Sequence, residues 1–194
     1  MSNSPEPVSH QGKIFSNVHY VEKILRDREF IKCEFHGCDF TKSDLRENDF
    51  VDCVFLNCNF SMALLEGTGL GDVVFVGCKL LGVDFTRCNK FMFSFSFEDC
   101  HLDYSTFYGT KLRKTRFKKC VLKETDFTAA DLTGAIFDQC DLQGTIFSNS
   151  NLEKTDFRTA KNFSIDLDAN KVKDAKFSSE NVVGLLDKYK LDIT

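Results

Sequence analysis

The chain has 194 residues, 42% of them hydrophobic, and a formal net charge of −4. That length suits one domain with a continuous core, and so small a net charge excludes neither an anionic nor a cationic partner. Phe occurs 21 times and Trp not at all, a bias that points to one structural slot refilled many times.

Residues 1–14 read as a flexible tail: the segment is polar and holds both prolines, Pro5 and Pro7. It lacks the basic and apolar regions of a secretory signal, and no apolar run approaches the ~20 residues that cross a bilayer. The expectation is a cytoplasmic protein without a membrane partner.

From Leu25 a large apolar residue falls at every fifth position: Leu25, Phe30, Phe35, Phe40, Leu45, Phe50 and so on to Phe85. The beat slips by two residues within 86–95 and resumes through Met92, Phe97, Leu102 and Phe107 to Phe157. Asn162 breaks it, and Leu167, Val172 and Phe177 finish it. A period of five fits neither a helix nor a strand. Two positions before each large residue sits a small one, such as Cys33, Ser43, Ala63 or Thr110, and all nine cysteines fall in that slot. The position immediately before the large residue is often Asp or Asn, as at Asp39, Asn59 and Asp131.

These residues resemble the pentapeptide-repeat family, with its A-(D/N)-L-x-x consensus, over about Leu25 to Phe177. The resemblance implies an all-β, right-handed quadrilateral β-helix in which four pentapeptides make one square coil. Residues twenty apart then stack, and a column reads Phe35, Phe55, Phe75, Phe97, Phe117, Phe137, Phe157, Phe177 once the slip is taken as a bulge inside one coil. Residues 15–177 give about eight coils. A buried Cys acts as a small hydrophobe, so the cysteines read as structural.

Residues 178–194 predict a short C-terminal α-helix and tail, with Ser178 or Ser179 as N-cap, Glu180 in the first turn, and Val182, Leu185, Leu186 and Tyr189 at helical spacing. It reads as a lid on the last coil. The segment also looks similar to the tails through which the quinolone-resistance and albicidin-resistance branch of the family pairs two rods end to end, which implies a homodimer.

No catalytic, metal or cofactor site is expected. His10, His19, His36 and His101 have no neighbouring motif, there is no C-x-x-C pair, and the Asp residues mostly occupy a slot where they bond turn backbone. Function is therefore expected on the outer faces. From the Leu45 repeat onward one face carries Asp44, Glu47, Glu66, Asp84, Asp126, Asp166 and Asp168 against Arg46 and Arg87, seven acids less two bases, or −5. A basic belt follows the bulge: Lys111, Arg113, Lys114, Arg116, Lys118, Lys119 and Lys123. The family resemblance implies a DNA mimic that binds DNA gyrase or topoisomerase IV through the acidic face. The alternatives are a solvated surface, or a scaffold docking another protein through Val54, Leu56, Val74 and Val76 or through the bulge at Lys90, Phe91, Met92 and Phe93. Direct nucleic-acid binding is not expected, because no aromatic stacking platform accompanies the belt.

Overall fold

The structure is a computed structural model that describes residues 8–192. Residues 1–7 of the expected tail and Ile193 and Thr194 of the expected C-terminal tail lie outside the described residues.

The strands are β1 (Val8–Gln11), β2 (Ile14–Ser16), β3 (Arg28–Ile31), β4 (Glu34–His36), β5 (Asp49–Val51), β6 (Val54–Leu56), β7 (Gly69–Val76), β8 (Phe93–Glu98), β9 (Arg116–Lys118) and β10 (Ile136–Asp138). Every pair is parallel. One wall runs β1-β3-β5-β7, and its neighbour runs β2-β4-β6-β7-β8-β9-β10. Parallel bridges such as His19↔Asp39 and Ile24↔Asp44 join the other two walls. The chain is thus an all-β solenoid with four walls, called here the Phe30, Phe35, Phe40 and Leu45 walls. It begins earlier than the composition suggests, because β1 already pairs Val8 with Arg28 and Gln11 with Ile31.

The twenty-residue register holds. Phe117 pairs with Phe137, and their rings stack at 4.8 Å and 3°. The Phe35 column starts a turn above its expected first member, with Phe15 stacked on Phe35 at 4.9 Å. Seven ring-to-ring steps lead from Phe15 to Phe157, and an eighth reaches Phe177 at 5.3 Å only after the break at Asn162, so the regular solenoid has about seven turns rather than eight. Past Asn162 the beat fails in a defined way: Phe163 and Ile165 are buried, while Leu167 faces solvent at 40% exposure. Asn170 closes that corner by donating to the carbonyls of Phe147 and Asp166.

Hydrogen-bonding chemistry explains the repeat. In the small slot a hydroxyl or thiol donates to a backbone carbonyl: Ser43 to Tyr20, Thr125 to Leu102, Cys53 to Phe30 and Cys140 to Phe117. These groups satisfy carbonyls that burial takes from water. The Asp or Asn before each large residue accepts the N–H two residues on, as Asp39 does from Thr41 at 3.0 Å and Asn59 from Ser61 at 3.0 Å. Two residues after the large one the backbone turns through positive φ, at Asn17, Asp52, Asn57 and Ala129 among others. A residue with a Cβ is strained there, Asn and Asp less than most. Ala129, at φ 58° and exposed, has no side-chain gain to offset the strain. Ala129→Gly is expected to stabilise the fold by about 0.5–1 kcal/mol, read as a raised urea midpoint; a fall would reject this account of the corners.

The C-terminus corrects the expected α-helix. It forms two 3-10 turns, Val182–Leu185 and Asp187–Tyr189. Asn181 precedes them but does not cap them; its Nδ2 donates to the carbonyls of Phe157 and Ala160, and its Oδ1 accepts from the Ser178 N–H. Gly184 presses on Phe163, whose carbonyl oxygen leaves no room for a Cβ, and the Gly184 carbonyl accepts from the Ile165 N–H at 3.0 Å. Val182, Val183 and Gly184 are also poor helix formers in sequence. The segment covers the last coil as an irregular lid, with Leu185 packed against the core.

Candidate functional faces

The acidic face is less acidic than the sequence suggests. Asp44 is buried and ion-paired to both Arg26 and Arg46. Glu66 lies 3.2 Å from Arg87 and 3.8 Å from Arg46. Asp166 and Asp168 both bind Lys188, which reaches back from the C-terminal turns, and that hydrogen bond holds the Asp166 carboxyl below its ordinary range. Among the described residues, Glu47, Asp84 and Asp126 make no ion pair. Asp84 and Asp126 each accept the N–H two residues on, at 2.8 Å. They are therefore turn-forming residues as well as surface charges.

The face also carries apolar side chains. The column that holds Asp44, Asp84, Asp126 and Asp166 contains Ile24, Leu64 and Ile146 between them, at 73%, 50% and 49% exposure. Tyr108 stands on the same wall, 56% exposed. The twenty-residue spacing placed these in the column, so the sequence held the signal. Nothing periodic marked Lys188 as a counter-ion.

The apolar patch forms in register, Val54 beside Val74 and Leu56 beside Val76. In the basic belt, Arg113 pairs with Asp131 at 2.6 Å and Lys118 with Glu98 at 2.6 Å. Of the C-terminal residues, Val182, Leu186 and Tyr189 are exposed, whereas Leu185 points to the core.

The bulge is a register slip between β7 and β8, where Leu70 pairs with Phe93 and Val73 with Phe95. Phe93 packs against the core and faces Phe95 edge-on at 4.7 Å, so it, and not Met92, fills the large slot. Met92 instead lies over Gly69, and Phe91 is 99% exposed. The slip opens a cavity of about 430 Å³ beside Phe85 and Phe93.

The cysteines are all buried. Burial pushes Cys53 up to about 11, and burial together with Asp84 pushes Cys88 up to about 12, so both thiols are protonated at neutral pH. Among the described residues no group of three or more His, Cys, Asp or Glu side chains could hold a metal ion, and no helix is long and apolar enough to cross a membrane.

A profile of the pentapeptide repeat region matches residues 28–107, 48–127 and 90–166. No curated protein matches the chain. Among solved structures, a trypsin-treated variant of QnrB1, a plasmid-mediated fluoroquinolone resistance protein, superposes with a TM-score of 0.59 at 17% identity, covering 97% of this chain and 99% of that one. A second trypsin-treated QnrB1 variant gives 0.57 at 19% identity, covering 97% and 98%. At such identities the likeness is one of fold.

Proposed function

We propose that this chain, which belongs to the pentapeptide-repeat family, is a non-enzymatic binding rod whose acidic wall engages the DNA-binding groove of a type II topoisomerase. The observation that carries the reading is the wall itself, an outward face of a stacked rod on which Glu47, Asp84 and Asp126 present carboxylates that no cation neutralises among the described residues. The whole-length fold likeness to a fluoroquinolone resistance protein supports it. Charge density limits the mimicry. Duplex DNA carries one charge per ~1.7 Å, or roughly 20 over the ~34 Å of seven turns stacked at ~4.8 Å. From the Leu45 repeat onward this wall offers, among the described residues, three carboxylates that make no ion pair, so shape and a few positions, rather than a continuous field, have to select the partner.

Gyrase supercoiling with purified protein, with and without a fluoroquinolone, tests this. Glu47→Gln, Asp84→Asn and Asp126→Asn together remove the charge while leaving an acceptor oxygen for each turn. At about 0.2–1 kcal/mol per exposed charge pair the triple variant is expected to act roughly tenfold more weakly. A wild-type protein without effect at micromolar concentration, or a triple variant equal to it, rejects the reading.

A second reading, a scaffold docking a different protein through mixed contacts, is favoured by the alternation of Ile24, Leu64 and Ile146 with aspartates in one column. Partner capture that survives the triple variant but not Leu64→Lys would select it.

The exposed Val182, Leu186 and Tyr189 support a homodimer through the C-terminal turns. Leu186→Asp is expected to halve the mass in sedimentation. Leu185 is the wrong probe, because it packs inward.

A further inference from the structure

We propose that the register slip builds a binding site for a small aromatic carboxylate. The slip leaves its two ends tied to the wall: Asn89 N donates to the Thr68 carbonyl at 2.9 Å, and Leu70 N to that of Met92 at 2.7 Å. Between them the chain steps outward, its turn held by Asn89 Oδ1 accepting from Phe91 N at 3.0 Å. The displaced segment frees the cavity of about 430 Å³, within the size range of small-ligand sites.

Phe93, half-buried, supplies aromatic surface for a flat ring with the buried Phe85 behind it, and Thr110 and Cys88 line the cavity beside them. Gly109 keeps one side open, with nothing within 4 Å of where a Cβ would stand. Eight of the nine cysteines donate to a backbone carbonyl. Among the described hydrogen bonds Cys88, buried in the cavity lining, has no acceptor, so its thiol is a spare donor there.

Charge selects the ligand's sign. Lys90 and Lys111 line the cavity and are exposed, and neither makes an ion pair among the described residues. The carboxylate next in Lys111's column, Asp131, is already taken by Arg113 at 2.6 Å. Two ammonium groups beside an aromatic surface fit a carboxylate carried on an aromatic ring, and charge-assisted bonds to it are the strong kind. Phe91, 99% exposed beside the cavity, gains a packing partner when that ring is bound.

Titration of the full chain with naphthoate and with its neutral amide, naphthamide, followed by backbone NMR, tests the site. Naphthoate is expected to saturate one site, shifting the amides of Gly109, Thr110 and Lys111, and naphthamide to bind roughly tenfold more weakly, the size of one charge-assisted hydrogen bond. The double variant Lys90→Glu, Lys111→Glu lies on the surface and is expected to erase the preference for the anion while naphthamide still shifts the same amides. Equal affinity of the two probes for the unaltered chain overturns the proposal. So do shifts scattered away from the cavity, or a preference for naphthoate that persists in the double variant.

Discussion

Phe117→Ala is expected to lower the unfolding free energy by about 3–5 kcal/mol, the range for deleting a buried aromatic side chain. The ring is fully buried, between Phe97 at 5.4 Å and Phe137 at 4.8 Å, with Phe127 edge-on at 5.9 Å. Truncation removes two stacked contacts and leaves a void that neighbouring rings, each held in its own column, cannot fill. In a solenoid each coil touches only the adjacent ones, so damage stays local before it becomes global. Hydrogen exchange should therefore accelerate first at β8, β9 and β10 and least at β1 and β3. The checks are a guanidinium melt and residue-resolved exchange. A loss below about 1 kcal/mol would mean that the column is not the main source of cohesion.

Asn48→Asp is expected to be nearly as damaging at neutral pH and to recover in part on acidification. Asn48 is fully buried in a small slot. Its Nδ2 donates to the carbonyls of Leu25 at 2.6 Å and Leu45 at 2.7 Å, and its Oδ1 accepts from the Arg28 N–H at 2.9 Å. A carboxylate there keeps the one accepted bond, strands two buried carbonyls and turns negative charge towards them. Each unsatisfied buried group costs about 1–3 kcal/mol. Desolvation and the two carbonyls raise the new carboxyl's folded pKa above its unfolded value near ~3.9. The ionisation part of the penalty is therefore absent well below that unfolded value, grows as pH rises above it, and is complete once pH exceeds the folded pKa, while the single O–H of the neutral acid still leaves one carbonyl unserved. Stability measured from pH ~3 to ~7, referred to the unaltered chain, should show that slope. A flat difference would place the side chain elsewhere.

The interior was legible in the sequence because each slot asks for one property and asks for it repeatedly. Phe117 above Phe137 follows from size alone, and Cys38, Cys58 and Cys78 in one column follow from small volume and a weak donor. Legibility failed where the period did. At the slip, Met92 kept the numerical beat, but Phe93 took the half-buried place against the core, since a larger apolar ring gains more from burial than Met at the same depth. Past Asn162, Ile165 lies inside and Leu167 outside, where Asn170 closes the corner. The C-terminal residues had helical spacing, yet Asn181 spends its side chain on Phe157 and Ala160, and Gly184 must lie flat on Phe163. The outer faces were legible in position but not in charge. Arg26 and Lys188 cancel carboxylates through contacts that a repeat does not encode.

The register of twenty has a consequence for how such a chain changes length. A duplication or deletion of one full turn returns every side chain to its own wall, so Phe117 would still meet a Phe and each corner a residue already tolerant of it. A change of one pentapeptide would rotate everything downstream by a quarter turn, set phenylalanines over leucines, and carry the outward charges round to another side. Growth and shrinkage by whole turns is the route along which these surfaces survive, and a two-residue insertion such as the one before Phe93 survives only because the chain absorbs it in a bulge before the next wall begins.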